Sequence, residues 1–208
     1  MAQGSAPKDQ LLEAMMRVAA ALRDAELPYL LAGSFAIWAR GGPPHDTDLD
    51  FAIKADDVER AVEVLVAAGL EHRTTPEEWL EKVYDGDDVV VDLIYNPAGL
   101  EVDDDVMERG DDIEVQGMTF RVMAVDDVMT TKLYAFKEHY LDYESALEMA
   151  RAVREQIDWD ELRRRCRDYA YAKPFFALAE ELGVIEKPGG ERVSGEEVRA
   201  AQESRHRR

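Results

Sequence analysis

The chain has 208 residues, of which 46% are hydrophobic, which is enough for one ordinary core and excludes wholesale disorder. A formal net charge of −20 excludes a broad phosphate-binding surface, and the single cysteine, Cys166, excludes an internal disulfide and a cysteine-based zinc site. No apolar run approaches the ~20 residues that span a bilayer, and the N-terminal MAQGSAPKDQ lacks a secretory signal. We therefore expect a cytoplasmic protein without membrane contact.

The first predicted elements are a helix, a strand and a short helix. Residues Lys8 to Arg23 carry apolar side chains at intervals of three and four, which is the spacing of a one-sided helix. Pro28 ends this pattern, and PYLLAG then predicts a short buried strand that ends in glycine. Residues Ser34 to Arg40 predict one or two helical turns, which GGPP ends.

Residues 48–53, DLDFAI, alternate between polar and apolar positions and predict a strand. Asp48 and Asp50 belong to one face of that strand. Apolar side chains anchor the other face: Leu49, Phe51 and Ile53. The next segment has apolar residues at helical spacing, and we expect Asp56 to cap that helix.

The middle of the chain predicts further strands, and the rest predicts helices. Leu70 to Arg73 reads as a weaker strand, and TPEEW begins a short helical turn. LEKVYDGDDVVVDLIYN predicts a hairpin with an Asp-Gly turn, and IEVQGMTFRVM predicts a second hairpin about Gln116 and Gly117. From Asp126 onward four segments are helical, and Gly183 ends the last of them: VDDVMTTKLYAFKEHY, YESALEMARAVREQ, WDELRRRCRDYA and PFFALAEEL.

This order of elements predicts an α+β fold with a C-terminal helical half. We expect an α/β core with its N-terminal helix over residues 1–125, and a helical region over residues 126–185. Residues 186–208 are polar and contain glycine, so we expect a polar tail there.

Paired aspartates in DTDLDF are the first candidate site. Asp-x-Asp alone is a weak signal because the chain contains it five times, but Asp48 and Asp50 share one face of a strand. Carboxylates held this close raise one another's pKa unless a cation neutralises them, and Mg²⁺ prefers such oxygen ligands.

A third candidate carboxylate is Asp92, in the otherwise apolar strand VVVDLIYN. A lone charge in such a strand is costly to bury without a partner. If this strand lies beside the strand of Asp48, three carboxylates converge and can hold two divalent ions. The alternative for Asp92 is a polar side chain that faces solvent at the end of its strand.

Gly33 and Ser34 stand between the first strand and the short helix. Backbone N–H groups and a hydroxyl at such a position offer a phosphate site, although Gly-Ser by itself equally fits a plain turn. Its meaning comes from the combination of a strand, Gly-Ser, a short helix, a Gly/Pro loop and a strand with paired aspartates.

This combination resembles the nucleotidyltransferases of the DNA polymerase β superfamily. The layout with helices after the sheet is similar to small bacterial members, which include the AbiEii-type toxin group. The motifs span roughly residues 28 to 95. The resemblance implies a nucleotidyltransferase-like mixed β-sheet flanked by helices. It also implies metal-dependent transfer of a nucleoside monophosphate from an NTP, such as ATP, to an acceptor hydroxyl, with release of pyrophosphate.

The resemblance also implies roles for individual residues. The implied metal-binding and catalytic residues are Asp48, Asp50 and Asp92. The implied nucleotide-binding residues are Gly33, Ser34 and Lys132. The implied metal is Mg²⁺, with Mn²⁺ as the alternative. Lys132 in MTTKLYAF matches a phosphate-contacting lysine, with an ordinary surface lysine as the alternative, and Asp142 is a weaker match to an acidic residue that follows it.

The acceptor stays open at this point. LDYESAL replaces the Arg-rich stretch common in the AbiEii-type group, so an RNA substrate is not inherited. The acidic surface favours a small or cationic acceptor, such as an aminoglycoside-like compound, over long RNA; a protein or an RNA end are alternatives. RNA would need a basic stretch, either Arg163 to Arg167, which also fits a solvated helix face, or the terminal Arg205 to Arg208. The alternative to an enzyme is a non-enzymatic nucleotide-binding or toxin–antitoxin partner protein on the same scaffold.

Overall fold

The computed structural model describes residues 8–43, 48–87 and 89–186. Eight α-helices lie in these ranges: α1 (Lys8–Asp24), α2 (Gly33–Ala39), α3 (Val58–Ala67), α4 (Asp104–Arg109), α5 (Val125–Tyr134), α6 (Tyr143–Val153), α7 (Trp159–Cys166) and α8 (Lys173–Glu181). The strands are β1 (Leu30–Leu31), β2 (Asp48–Ala52), β3 (Glu71–Arg73), β4 (Leu80–Asp85), β5 (Val89–Ile94), β6 (Asp111–Val115) and β7 (Met118–Val122). Within the described ranges, no helix is long and apolar enough to cross a bilayer.

The seven strands form one mixed sheet in the order β3-β4-β5-β2-β1-β7-β6. β2 is parallel to β5 and β1 is parallel to β7, whereas the other neighbours are antiparallel. The predicted α+β fold, with a mixed sheet followed by helices, is confirmed. The division of the chain at residues 125 and 185 stays a prediction, and residues 187–208 of the predicted tail lie outside the described residues.

One face of the two central strands is built into the core. Its side chains are fully buried and apolar: Leu49, Phe51, Val91 and Leu93. The apolar stripes of α1 and α3 belong to the same buried cluster, and these two helices contact β5 and β4 respectively. Because side chains alternate along a strand, Asp48, Asp50 and Asp92 point to the opposite face.

Two local predictions between β2 and β4 are wrong. Asp56 does not cap α3, because a 3-10 turn over Ala55–Asp57 comes first and α3 begins only at Val58. The Asp57 side chain, at the capping position, makes no capping hydrogen bond either. The segment TPEEW forms turns rather than helix before β4.

Two further differences concern the helices α5 and α4. The pattern VDDVMTTKLYAFKEHY predicts helix to residue 140, but α5 ends at Tyr134, because Lys137 and Tyr140 exchange two backbone hydrogen bonds of 2.8 and 3.0 Å in a local bridge. The short helix α4 has no counterpart in the sequence predictions. Asp103 caps it by accepting a hydrogen bond from the N–H of Val106 at 2.9 Å. A helix this short spans less than two turns, so its periodicity is too brief to recognise.

Candidate active site

The aspartates of β2 and β5 lie on neighbouring strands of the sheet. The parallel register sets Asp50 directly opposite Asp92, and Asp48 opposite Val90. Opposite residues of a ladder point to the same face, as do residues two apart along one strand. Three carboxylates that are distant in sequence therefore share one face, called here the acidic face and defined by Asp48, Asp50 and Asp92. Asp92 is 8% exposed, so the alternative of a solvent-facing side chain at a strand end is wrong.

Gly33, the first residue of α2, lies against the acidic face. Its φ is +55°, and a Cβ atom on this residue would overlap with Oδ2 of Asp50. The preceding residue, Ala32, donates its N–H to the carbonyl of Asp50 at 2.8 Å. Glycine tolerates both the left-handed backbone and the close approach of the carboxylate. The glycine predicted beside the aspartates is thus the residue that lets α2 begin there.

Ser34 follows Gly33 and is 1% exposed. Its hydroxyl Oγ has no hydrogen-bond partner among the described residues. Leaving a buried polar group unpaired costs about 1–3 kcal/mol, so such a group in a folded chain calls for a partner. An oxygen of a bound ligand would supply one.

Lys82 on β4 is a residue of the site that sequence reasoning missed. The antiparallel register of the β4–β5 hairpin sets Lys82 opposite Asp92. Its Nζ donates to both carboxylate oxygens of Asp92, at 2.7 Å to Oδ1 and 2.8 Å to Oδ2. Counting back from the Asp85-Gly86 turn to the residue opposite Asp92 would have found it, because a hairpin's turn sets its register.

Burial and neighbouring charges shift the pKa values in this pair. Burial raises the pKa of the Asp92 carboxyl above its ordinary value; Lys82 opposes that rise, and the charges of Asp48 and Glu77 add to it. Burial works against the ammonium form of Lys82, but the hydrogen bond to Asp92 and the charges of Asp92 and Asp48 raise its pKa. Lys82 therefore stays an ammonium group at neutral pH, held among carboxylates.

Glu77 is a second residue that the sequence did not single out. It lies in the turn before β4, and its charge acts on Asp92. A hydrogen bond from the hydroxyl of Thr75 is the main cause that lowers the pKa of Glu77. No pattern in TPEEW marks this glutamate, because its position depends on how the turn folds back toward the sheet.

The acidic face has the chemistry that a hard divalent cation requires. Carboxylate oxygens from two strands stand on one side, and the cradle at Gly33 brings Asp50 close to the start of α2. Within the described ranges, no three His, Cys, Asp or Glu side chains stand close enough together to hold an ion as they are. Both oxygens of Asp92 accept hydrogen bonds from Lys82, so an ion that used Asp92 would compete with that lysine. The donors fit such an ion by their chemistry and their shared face, and binding would require their side chains to move closer together.

Lys132 lies on α5, and the structure brings it to Asp142. Its Nζ donates to Oδ2 of Asp142 at 3.0 Å. Asp142 also caps α6, because its Oδ1 accepts the N–H of Ser145 at 3.2 Å. The two residues that the resemblance selected in the helical half are therefore partners. The side chain of Lys132 is 19% exposed, which is less than an ordinary surface lysine shows.

The arginines of ELRRRCRD do not form an unopposed basic patch. Each one is within 4.0 Å of a carboxylate, in the pairs Arg163–Glu180, Arg164–Glu161, Arg165–Asp127 and Arg167–Asp168. Carboxylates thus offset this stretch, as expected for a solvated helix face. The terminal arginines, residues 205–208, lie outside the described residues.

Two cavities lie away from the acidic face. The larger, about 730 Å³, is bounded among others by Tyr29, Lys54 and Arg121, and the smaller, about 410 Å³, by residues that include Arg109 and Asp127. None of the three aspartates lines either cavity. Lys54 and Arg109 each pair with an aspartate, and neither of these two cavities coincides with the acidic face.

Comparison with known proteins gives a family and a fold. A family profile described as uncharacterised nucleotidyltransferase matches residues 9–180. No curated protein matches the chain.

Solved structures with a similar fold include the crystal structure of ANT(2'')-Ia in complex with adenylyl-2''-tobramycin. It has a TM-score of 0.61 and 14% identity over 80% of this chain and 99% of that chain. A solution structure of ANT(2'')-Ia gives 0.57 and 14%, over 85% and 99% of the two chains. An antigenic nucleotidyltransferase-like protein from Paracoccidioides brasiliensis gives 0.53 and 12%, over 88% and 96%. At these identities the likeness shows the fold.

Proposed function

Because the chain belongs to the family of uncharacterised nucleotidyltransferases, small relatives of DNA polymerase β, we propose that it moves a nucleoside monophosphate from an NTP to an acceptor hydroxyl and releases pyrophosphate. The reaction would use Mg²⁺, with Mn²⁺ as the alternative. The observation that carries this proposal is the register of β2 and β5, which sets Asp50 opposite Asp92 with Asp48 two residues away. An aspartate that served only as surface charge would not be expected at a buried strand position beside two other carboxylates.

Each aspartate of the acidic face would have its own role. Asp48 and Asp50 would hold two divalent cations, because they extend from the same strand. When bound, one cation would steady the triphosphate and the other would make the acceptor hydroxyl more acidic. Asp92 would be a further ligand and would accept the proton of the acceptor hydroxyl.

The start of α2 would bind the phosphates. The buried Ser34 hydroxyl, unpaired among the described residues, supports this role, since it can donate to a phosphate oxygen. Gly33 supports it as well, because it keeps Asp50 and the start of α2 in close contact. Lys132 would turn from Asp142 to the triphosphate and balance its charge.

The acceptor that we propose is a small or cationic molecule. The net charge of −20 supports this choice, since long RNA would be repelled and the arginines of α7 already face carboxylates. A protein with the same fold was solved with an adenylylated aminoglycoside, tobramycin; at 14% identity this gives an acceptor class to test first.

The direct test is labelling. The protein would be incubated with each labelled NTP, Mg²⁺ and either a panel of aminoglycosides or a cell extract, and the labelled product identified. Melting temperatures would be measured in parallel with Mg²⁺, with NTP and with both. We expect the largest stabilisation with both together, because each ligand completes the binding site of the other. An unchanged melting temperature with both ligands, together with no labelled product, would refute the proposal.

The aspartates provide the matching variants. Asp48→Asn and Asp50→Asn are expected to lower transfer by at least about a hundredfold, since a bound metal supplies several kcal/mol to such a reaction. Asp87→Asn is the control, because Asp87 belongs to another Asp-x-Asp, in the exposed hairpin turn between β4 and β5. Full activity in either β2 variant, with the fold intact by circular dichroism, would contradict the assignment.

The alternative function is nucleotide or partner binding without turnover, as in a toxin–antitoxin pair. The contact between Lys82 and Asp92 favours it in one respect, because it engages the proposed base in the chain as it stands. Stabilisation by NTP and Mg²⁺ without labelling of any acceptor would select this alternative.

A further inference from the structure

The acidic face contains a cation of the chain's own. Lys82 bonds both oxygens of Asp92, and its side chain is 23% exposed while that of Asp92 is 11% exposed. The carboxylate of Asp48 also acts on this ammonium group, because its charge helps to raise the pKa of Lys82. The ammonium group therefore stands among the carboxylates that would bind a divalent cation.

The position of Lys82 in the sheet explains why it reaches this place. β4 pairs with β5 on the side away from β2, and the register sets Lys82 opposite Asp92 as it sets Asp50 opposite Asp92 from the other side. One row across three strands thus reads Lys82, Asp92, Asp50. A lysine needed only to neutralise a buried acid could lie anywhere around it, but this one shares the face with all three aspartates.

We propose that Lys82 is a positioning residue that holds Asp92 and competes with the divalent cation for its carboxylate, so that the metal binds strongly only together with NTP. This inference rests on the proposed function. The ammonium of Lys82 offsets part of the negative charge on this face, and a divalent ion would compete with it for the oxygens of Asp92. The phosphates of an arriving NTP would then draw in a further cation, and the released ammonium could turn to the phosphates.

The proposal predicts tighter metal binding when the ammonium is removed. A unit positive charge about 6 Å from a divalent ion weakens its binding about tenfold even in a water-like dielectric. Lys82→Met keeps the aliphatic stem and removes the charge, so it should bind Mn²⁺ about tenfold more tightly without NTP. It should also transfer more slowly, because Asp92 loses its orienting partner. A lysine whose ammonium lies too far from the bound metal to act on it would not produce a gain in metal affinity.

The experiment measures Mn²⁺ affinity by the loss of the free-ion electron paramagnetic resonance signal, without and with NTP, and melting temperature and transfer on the same samples. Lys82→Arg keeps the charge and should behave like the parent chain. Lys54→Met is the control, because Lys54 also pairs with an aspartate, through a single contact of 3.0 Å to the exposed Asp104. Lys54 follows the end of β2, whereas Asp48 begins that strand. It should leave Mn²⁺ affinity unchanged.

The outcomes separate this inference from the proposed function. If the parent chain transfers nucleotide but Lys82→Met binds Mn²⁺ no more tightly than the parent, the role of Lys82 is overturned and the proposed function stands. If the parent chain neither binds Mn²⁺ with NTP nor transfers nucleotide, the proposed function fails, and the inference fails with it. A tenfold gain in Lys82→Met, absent from Lys82→Arg and Lys54→Met, supports the inference.

Discussion

Replacing Gly33 with alanine is expected to destabilise the fold and to abolish transfer, because two costs coincide at this residue. The backbone is left-handed, with φ of +55°, where an L side chain costs about 1–2 kcal/mol. The new Cβ would also overlap with Oδ2 of Asp50, and forcing an extra methyl group into a packed site costs about 1–3 kcal/mol. The free energy of unfolding should therefore fall by about 2–5 kcal/mol.

Gly183 provides the matched control. Its φ is +67°, but nothing lies within 4 Å of a Cβ built on it, so Gly183→Ala carries the backbone cost alone. For a chain of this size, 1 kcal/mol shifts the melting temperature by about 2–4 °C. Gly183→Ala should thus lose about 2–8 °C and Gly33→Ala about 4–20 °C, and only Gly33→Ala should lose transfer activity.

Thermal unfolding followed by circular dichroism, with transfer measured below the transition, checks this prediction. A second measurement is Mn²⁺ affinity, which should fall in Gly33→Ala because Asp50 must move to make room for the new methyl group. Equal melting temperatures for the two variants, with full transfer by Gly33→Ala, would refute the contact between Gly33 and Asp50 as a feature of the site.

Three further predictions concern the rest of the chain. Asp127→Asn should lower the free energy of unfolding by about 1.5–3 kcal/mol in urea denaturation, because the buried carboxylate loses its charge-assisted hydrogen bonds to two arginines. Glu155→Gln, from an exposed ion pair, should cost less than about 0.5 kcal/mol; equal losses would contradict the reasoning. Hydrogen bonds from two arginines lower the pKa of Glu161 from 4.5 to about 2, so its contribution to stability is present above pH 4.5 and is lost as the pH falls toward 2. Glu161→Gln should therefore flatten that part of the stability–pH curve, and an unchanged curve would count against the ion pairs. Burial raises the pKa of Cys166 from 9.0 to about 11, which lowers the thiolate fraction about a hundredfold. Its reaction with a disulfide reagent at pH 8 should be slower by at least that factor in the folded chain than in urea, and rapid reaction in the folded chain would contradict its burial.

Local patterns were sufficient for the elements that have a full period. The alternation of DLDFAI predicts both the strand β2 and the face of its aspartates, and the hairpins follow from their turn residues, as with Gln116 and Gly117, both at positive φ. Patterns were insufficient where the element is short or where a tertiary contact ends it. The helix α4 is one case, and the early end of α5 at Tyr134 is another.

The sequence by itself determined which residues could do chemistry here. Asp48 and Asp50 share a face because the side chains of a strand alternate, and Gly33 beside Ser34 marks the start of a helix, whatever the rest of the fold does. Both properties depend only on residues a few positions apart.

Only the tertiary structure decided which of these residues meet. A parallel pair such as β2 and β5 is joined by a long crossover, so no local signal sets its register, and it is this register that places Asp50 opposite Asp92. The same pairing buries Asp92 and brings Lys82 to it from the third strand of the row. Contacts between residues far apart in the chain depend on how whole elements pack, and packing is a property of all the elements together.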